Sequence, residues 1–334
     1  SLQQIAQSTS FRTNFGFVEG SGQPADLEVR LFDAAGTRLD TKTLSLKPFE
    51  LAQLSLQQLF PNATLQDGRM EARVVSTSGK VSAYASVLDN RTNDPLLVLP
   101  VDPSKVAASI YVLPGIGDFD IGVAHWKSDV RLYNSGTSAV PATLTYYPQG
   151  GGAARSFEVT VQPGETRVLD NFIGAQFAGM RQTAGSLVAT APANSSLVAT
   201  ARTYTDTGSG TYGQFIPGVT PADGVGAGER PLQVLQLEES PSFHTNAGVV
   251  ELTGNTVHVR VHGYVPDGRT SAIIDLDVGP YQFVKLNRIF SAMGYGNVYN
   301  GRVAVEVTSG SGRITAYGSN IDNRTQDPTY VPAQ

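Results

Sequence analysis

The heptad Asp89-Asn90-Arg91-Thr92-Asn93-Asp94-Pro95 returns near the C-terminus as Asp322-Asn323-Arg324-Thr325-Gln326-Asp327-Pro328. A run that reads as a strand precedes each copy, at 81–87 and 314–320, and a short apolar run closed by Pro100 or Pro332 follows it. The unit is strand, polar turn, strand. The rest of the chain aligns around its two occurrences.

Working outward, a period of about 110 residues emerges, the signature of an array of similar units. An aromatic followed by a polar triplet opens each unit: Phe11-Arg12-Thr13-Asn14, Trp126-Lys127-Ser128-Asp129 and Phe243-His244-Thr245-Asn246. Alternating runs follow, Leu27-Glu28-Val29-Arg30-Leu31-Phe32, Thr143-Leu144-Thr145-Tyr146-Tyr147 and Val257-His258-Val259-Arg260-Val261-His262. Their period of two puts one apolar face inward, so they read as half-buried strands. Turn residues at 33–36, 150–152 and 266–268 then open hairpins of antiparallel sheets.

Pro48 precedes Leu54, Pro163 precedes Leu169 and Pro280 precedes Leu286 at one common spacing. The next residue is Ser55, Asp170 or Asn287, each a preferred helix N-cap whose side-chain oxygen accepts from an orphan backbone N–H. This predicts a short helical turn in every copy, with Leu59 and Phe60, Phe172 and Ile173, or Ile289 and Phe290 plugging the open end of a sandwich. The middle unit departs from the heptad: 205–213 is glycine-rich and runs into Gln214-Phe215-Ile216-Pro217.

The expected fold is all-β: three tandem antiparallel β-sandwich domains of immunoglobulin-like type, each with one short helical turn, over 1–104, 105–226 and 227–334. The joint at 101–105, with Pro103, is expected to be stiff. The glycine-rich joint at 221–228 is expected to bend.

Composition agrees with many turns and real cores, since the 334 residues include 35 Gly and 19 Pro, with 40% hydrophobic and 16% charged residues. A formal net charge of −5 and the lack of a basic stripe argue against a nucleic-acid partner. With no Cys, thiol chemistry and zinc ribbons are excluded and no redox compartment is fixed. No apolar run approaches the roughly 18 residues of a membrane span, so no membrane insertion is expected. The first residues lack the blocks of a signal peptide, so an exported protein is expected to be represented here in mature form, extracellular or at the cell surface.

The aromatic-basic-polar opening, the Pro-Gly-Glu-like turn and the closing Tyr-x-x-x-x-Asp-Asn-Arg-Thr-x-Asp-Pro together resemble tandem immunoglobulin-like or fibronectin-like β-sandwich repeats of secreted bacterial proteins. The resemblance spans the whole chain and implies repeat architecture and export. It supplies no catalytic residues.

Candidate chemistry is sparse. Asp89, Asn90 and Asp94, with their twins Asp322, Asn323 and Asp327, offer oxygens for a weak calcium site. The central Arg91 or Arg324 and the absence of a ligand ladder favour an Asx-type turn instead. Gly208-Ser209-Gly210-Thr211-Tyr212-Gly213 matches G-x-G-x-x-G, but Gln214-Phe215-Ile216-Pro217 does not open a helix, so a hairpin loop is expected. His258 and His262 flank Arg260 on one strand face and read as solvated. No G-x-S-x-G elbow or H-E-x-x-H helix is present, and no acidic pair recurs in all three units, so the chain reads as no enzyme and without a cofactor.

The candidate interaction residues are Arg91 and Arg324, which project from the closing turns, and two tyrosine pairs, Tyr146 with Tyr147 and Tyr295 with Tyr299. Those tyrosines are the expected platform if the protein binds glycan or another ligand. Repetition without recurrent chemistry points first to a structural or adhesive protein that contacts itself, a cell surface or a matrix, as in a filament of stacked subunits. A chain that starts directly in a first strand and ends directly after a last one suits such stacking.

Overall fold

The computed structural model describes residues 1–102, 108–122, 124–266 and 270–334. Most of the joint at 101–105 and of the turn at 266–268 falls outside the described residues. The first copy of the unit holds β1 (Leu2–Gln7), β2 (Phe11–Glu19), β3 (Ala25–Asp33), β4 (Arg38–Leu46), β5 (Leu51–Ser55), α1 (Leu56–Leu59), β6 (Leu65–Val74), β7 (Val81–Asp89) and β8 (Pro95–Val98). The middle copy holds β9 (Ile110–Ile121), β10 (Ala124–Asn134), β11 (Val140–Pro148), β12 (Arg155–Val161), β13 (Thr166–Leu169), α2 (Phe172–Gln176), β14 (Thr183–Thr190), β15 (Leu197–Asp206) and β16 (Thr211–Pro217). The third holds β17 (Leu232–Glu239), β18 (Phe243–Glu251), β19 (Val257–Tyr264), β20 (Thr270–Val278), β21 (Phe283–Leu286), α3 (Ile289–Ala292), β22 (Val298–Gly310), β23 (Ile314–Asp322) and β24 (Pro328–Pro332).

All pairings are antiparallel and their order recurs. The first copy forms sheets β1-β6-β3-β4 and β5-β2-β7-β8, and the third forms β17-β22-β19-β20 and β21-β18-β23-β24. The middle copy uses the same neighbours, but a β9–β10 hairpin fuses its two halves into one eight-stranded sheet. The immunoglobulin order expected from strand count is not present. That order places the first two strands side by side, whereas β1 neighbours β6 and β2 lies between β5 and β7.

The alternating runs bury the expected residues. Leu27, Val29 and Leu31 share one core with Phe15, Phe17, Ala85 and Leu96 from the facing sheet, and Val257, Val259 and Val261 do the same with Ala247, Val249 and Ala316. Each helical turn closes its core with Leu59 and Phe60, Phe172 and Ile173, or Ile289 and Phe290. Only α1 has the expected cap, where Ser55 and Gln58 form a reciprocal capping box. In α2 and α3 the N-cap is one residue later, at the left-handed Asn171 and Arg288, with no side-chain cap. Asp129 and Asn246 accept from the N–H groups of those two residues instead, at 2.8 and 2.9 Å, which satisfies the orphan donors from a neighbouring strand.

The joint at 221–228 is pinned rather than loose. Val225 exchanges both backbone hydrogen bonds with Ile314 at 2.9 Å and enters the third core, while Arg313 holds the carbonyls of Pro221 and Gly224 and pairs with Glu229. No helix among the described residues is long and apolar enough to cross a membrane.

Candidate functional site: two junctions built alike

Many of the buried polar and charged residues lie where one copy of the unit meets the next, among them Arg69, Asp89, Asp94, Thr200 and Thr211. Each copy begins with a strand interrupted by one left-handed residue, Gln4 (φ 58°), Gly115 (φ 73°) or Gln236 (φ 58°), at a shift in register against β6, β14 or β22. Such a bulge twists the strand and pushes the extra residue out of the sheet. Gln4 donates to Thr200 of β15 at 3.1 Å. Gly115 sits against the hydroxyl of Tyr317 on β23, where an added Cβ would lie 2.4 Å from the oxygen. Thr200 and Tyr317 occupy the same place in their copies, as the pairings Arg131 with Thr200 and Gly248 with Tyr317 establish.

A second contact repeats in the same way. Arg69 on β6 donates to the carbonyl of Gly164 at 2.9 Å, and Ser186, its counterpart on β14, donates to the carbonyl of Tyr281. Gly164 and Tyr281 follow Pro163 and Pro280 and take positive φ, 73° and 54°, as Phe49 does after Pro48 at 58°. The aromatic paired with the donor residue backs each contact. The Arg69 guanidinium lies 4.0 Å from the Phe32 ring and 4.3 Å from Tyr133, and Tyr147 packs on Tyr281 at 5.3 Å. Thus the β1–β6 face of one copy covers the β5-β2-β7-β8 face of the next, twice.

The closing turn adds to the first junction. Asp89 is buried, and its two oxygens accept from the N–H groups of Arg91, Thr92 and Thr211 at 2.8, 3.2 and 2.9 Å, and from the Thr211 hydroxyl at 3.0 Å. Burial pushes its carboxyl up, but these N–H donors outweigh that and hold it low. Asp94 accepts from Gly213 N–H at 3.0 Å, and Arg91 reaches the carbonyl of Gly208 at 2.9 Å. Asn90 accepts from Arg12 and donates to the carbonyls of Ser8 and Thr9. In the twin turn, the Asp322 carboxylate accepts, among the described residues, only from Arg324 and Thr325 of its own turn, Asn323 holds His244 and the Ser240 and Pro241 carbonyls, and Arg324 is exposed. Among the described residues no three His, Asp or Glu side chains converge on a point fit for a metal ion.

The two turns come close to each other beside the middle copy, where Asp94 and Asp327 line one hollow with Gly213 of β16. Burial, then the charge of Asp94, push the Asp327 carboxyl up to about 7, and burial raises Asp94 as well. Two carboxyl groups this close do not both ionise readily.

The tyrosine platform expected at Tyr146 and Tyr147 is not formed. Tyr146 is wholly buried, with its hydroxyl on Thr183 at 2.9 Å, and Tyr147 lies in the second junction. Its inward direction was implicit in the alternation with Leu144. Tyr295 packs edge-on to Phe290 and donates to the carbonyl of Gly263, so it belongs to the third core, while Tyr299 is exposed. His258 and His262 pair with Asp277 and Glu306 at 2.8 and 3.1 Å on an open face.

Of the hollows that adjoin the junctions, two are lined by residues of β10 and β15. One, between the middle and third copies, is walled by Phe119, Trp126 and Tyr317 beside the half-buried Lys285, whose ammonium burial disfavours. Its volume of about 100 Å³ is small against the roughly 300–1,000 Å³ of ligand pockets. The other, about 390 Å³, lies between the first and middle copies and collects Asp67, Asp129, Asp170, Arg131, Arg202 and Tyr204. Burial pushes Asp67 up to about 6 even though Arg131 pairs with it, and Arg131 also holds Asp170 at 2.7 Å. The chain matches no protein-family model, no curated protein and no solved structure.

Proposed function

We propose that the chain is a non-catalytic structural protein, exported to the cell surface or beyond, made of three tandem β-sandwich domains stacked into one stiff body. The observation that carries this reading is the repetition of one junction: the same donor position, the same left-handed bulge and the same receiving turn serve at both boundaries. A flexible string of domains has no use for buried, hydrogen-bonded boundaries, since domains joined by small polar interfaces move by default. A load-bearing or spacing element does. The polar turns serve as structural Asx turns in this reading, and calcium is not required, because N–H donors already occupy both Asp89 oxygens.

The test has two parts. Surface labelling of intact source cells is expected to reach the protein, and melting in chelator is expected to match melting in millimolar calcium. Protection of the protein inside intact cells, or a calcium-dependent melting point, would overturn the corresponding part.

A second reading, hydrolysis, is favoured by the carboxylates gathered around Arg131 and Arg202 in the larger hollow. It ranks below the first because these groups are already engaged: Asp67 and Asp170 by Arg131, and Asp129 by the N–H of Asn171. Turnover of any ester, glycoside or peptide that disappears in Asp67→Asn would promote it.

A further inference from the structure

Two halves of the junction that occurs twice in this structure stay uncovered, one on the first copy and one on the third. In the third copy the receiving face is covered, leaving Val250 and Phe283 each 1% exposed. In the middle copy the same positions are Tyr133 and Thr166, 4% and 2% exposed. In the first copy they are Val18 and Leu51, 36% and 57% exposed; beside them stands Phe49 at 74%, and Leu97 at 53% lies farther along the same sheet face. Single exposed apolar residues are ordinary, but four on one sheet face are an interaction surface. The covering half stays open on the third copy. Gln236 is exposed where Gln4 and Gly115 are covered, and Leu235 beside it is 40% exposed. Arg302 stands where Arg69 does, poised 3.8 Å over the Tyr264 ring as Arg69 is over Phe32, with Gln233 holding it at 2.8 Å. Arg324 is the twin of Arg91, which reaches the Gly208 carbonyl across the first junction.

We infer that the β17–β22 face of one copy of this chain docks on the β5-β2-β7-β8 face of another, joining chains head to tail through the junction already used twice within each. This rests on the structural reading above and names its partner. Within the new junction Arg302 donates to the carbonyl of Phe49, whose φ of 58° presents it as Gly164 and Tyr281 present theirs. The two faces differ, so the contact is heterologous, and such contacts make rings or open filaments according to whether the rotation closes. Within one chain the three copies do not close into a ring, because the face of the first copy stays exposed.

One detail of fit differs between junctions. Gln4 meets the small Thr200, and Gly115 meets the large Tyr317, so small and large alternate; Gln236 would meet Tyr84, two large residues. Tyr84→Thr restores the Gln–Thr pairing and is expected to tighten the association.

The chain has no cysteine, so engineered thiols report cleanly. Arg91→Cys with Ser209→Cys, exposed positions that face each other across the first junction where Arg91 reaches Gly208, joined by a short bis-maleimide, is expected to crosslink within one chain and serves as the intramolecular control. Gln236→Cys with Tyr84→Cys is expected to give a ladder of linear multimers, while a mixture of the two single variants gives dimers containing one of each. Leu51→Lys, at an exposed position, is expected to weaken association in sedimentation by about tenfold or more with unchanged melting. Homodimers of a single variant, or no ladder when the intramolecular control crosslinks, would overturn the proposal while leaving the stacked, non-catalytic reading intact. Failure of the intramolecular control would instead count against the internal junctions and so against both.

Discussion

Across the first junction, the guanidinium of Arg69 donates to the backbone carbonyl of Gly164 at 2.9 Å while lying between the rings of Phe32 and Tyr133. The side chain is 3% exposed and also binds Glu71 at 3.0 Å, so one cation joins four groups from two copies of the unit. Arg69→Ala removes two cation–π contacts and leaves a carbonyl and a carboxylate short of a donor. A loss of about 3 kcal/mol is expected in urea unfolding. Arg69→Lys is expected to recover only part of it, because an ammonium does not stack and bridge at once.

Two glycines with tyrosine rings over them make a paired prediction. An added Cβ at Gly248 would lie 2.4 Å from Tyr317 and 2.8 Å from Phe283, both buried under the middle copy. Neither ring can retreat, so Gly248→Ala is expected to cost about 2 kcal/mol. At Gly16 the clash with Tyr84 is as close, 2.1 Å, but that ring is half-buried on an open face. It swings away, and Gly16→Ala is expected to cost less than about 1 kcal/mol by the same unfolding assay.

Much of this was legible in the chain, and the exceptions have physical reasons. Strict alternation placed strands such as β3, β11 and β19, because a half-buried antiparallel strand must alternate. The lead strands β1, β9 and β17 escape that rule: Gln4, Gly115 and Gln236 are left-handed and break the period of two. The capping residues Asp170 and Asn287 looked equivalent to Ser55, yet Asp170 is drawn to Arg131 and the helix starts one residue later. The first of the twin heptads lies at a junction between copies, which its sequence does not reveal. Asp89 differs from Asp322 only in what a distant strand offers it, and a contact with Thr211, 122 residues away, leaves no local signature.

The Asp94–Asp327 pair predicts a pH dependence with a definite sign. Both carboxyl groups are raised by burial, and Asp327 also by the charge of Asp94, with Asp89, Arg202 and Asp322 acting from nearby. A carboxyl raised in the folded state contributes stability that is complete below its unfolded value, near 4, and is lost as pH rises through about 7. Asp327→Asn removes the ionisation that causes the loss. It is expected to melt above the parent at pH 8 and level with it at pH 4; the reverse order at pH 8 would mean the pair is stabilised as anions.

Buried hydrogen bonds join the copies, and amide hydrogen exchange of Thr211 and Gly213 measures how firmly they do so. Both N–H groups belong to the middle copy and both end on carboxylates of the first, Asp89 and Asp94. In a stack locked by these bonds the two amides exchange as slowly as core amides such as those of Val130 and Ala201, opening only with global unfolding. Fast exchange of these two amides while the three cores stay protected would contradict it.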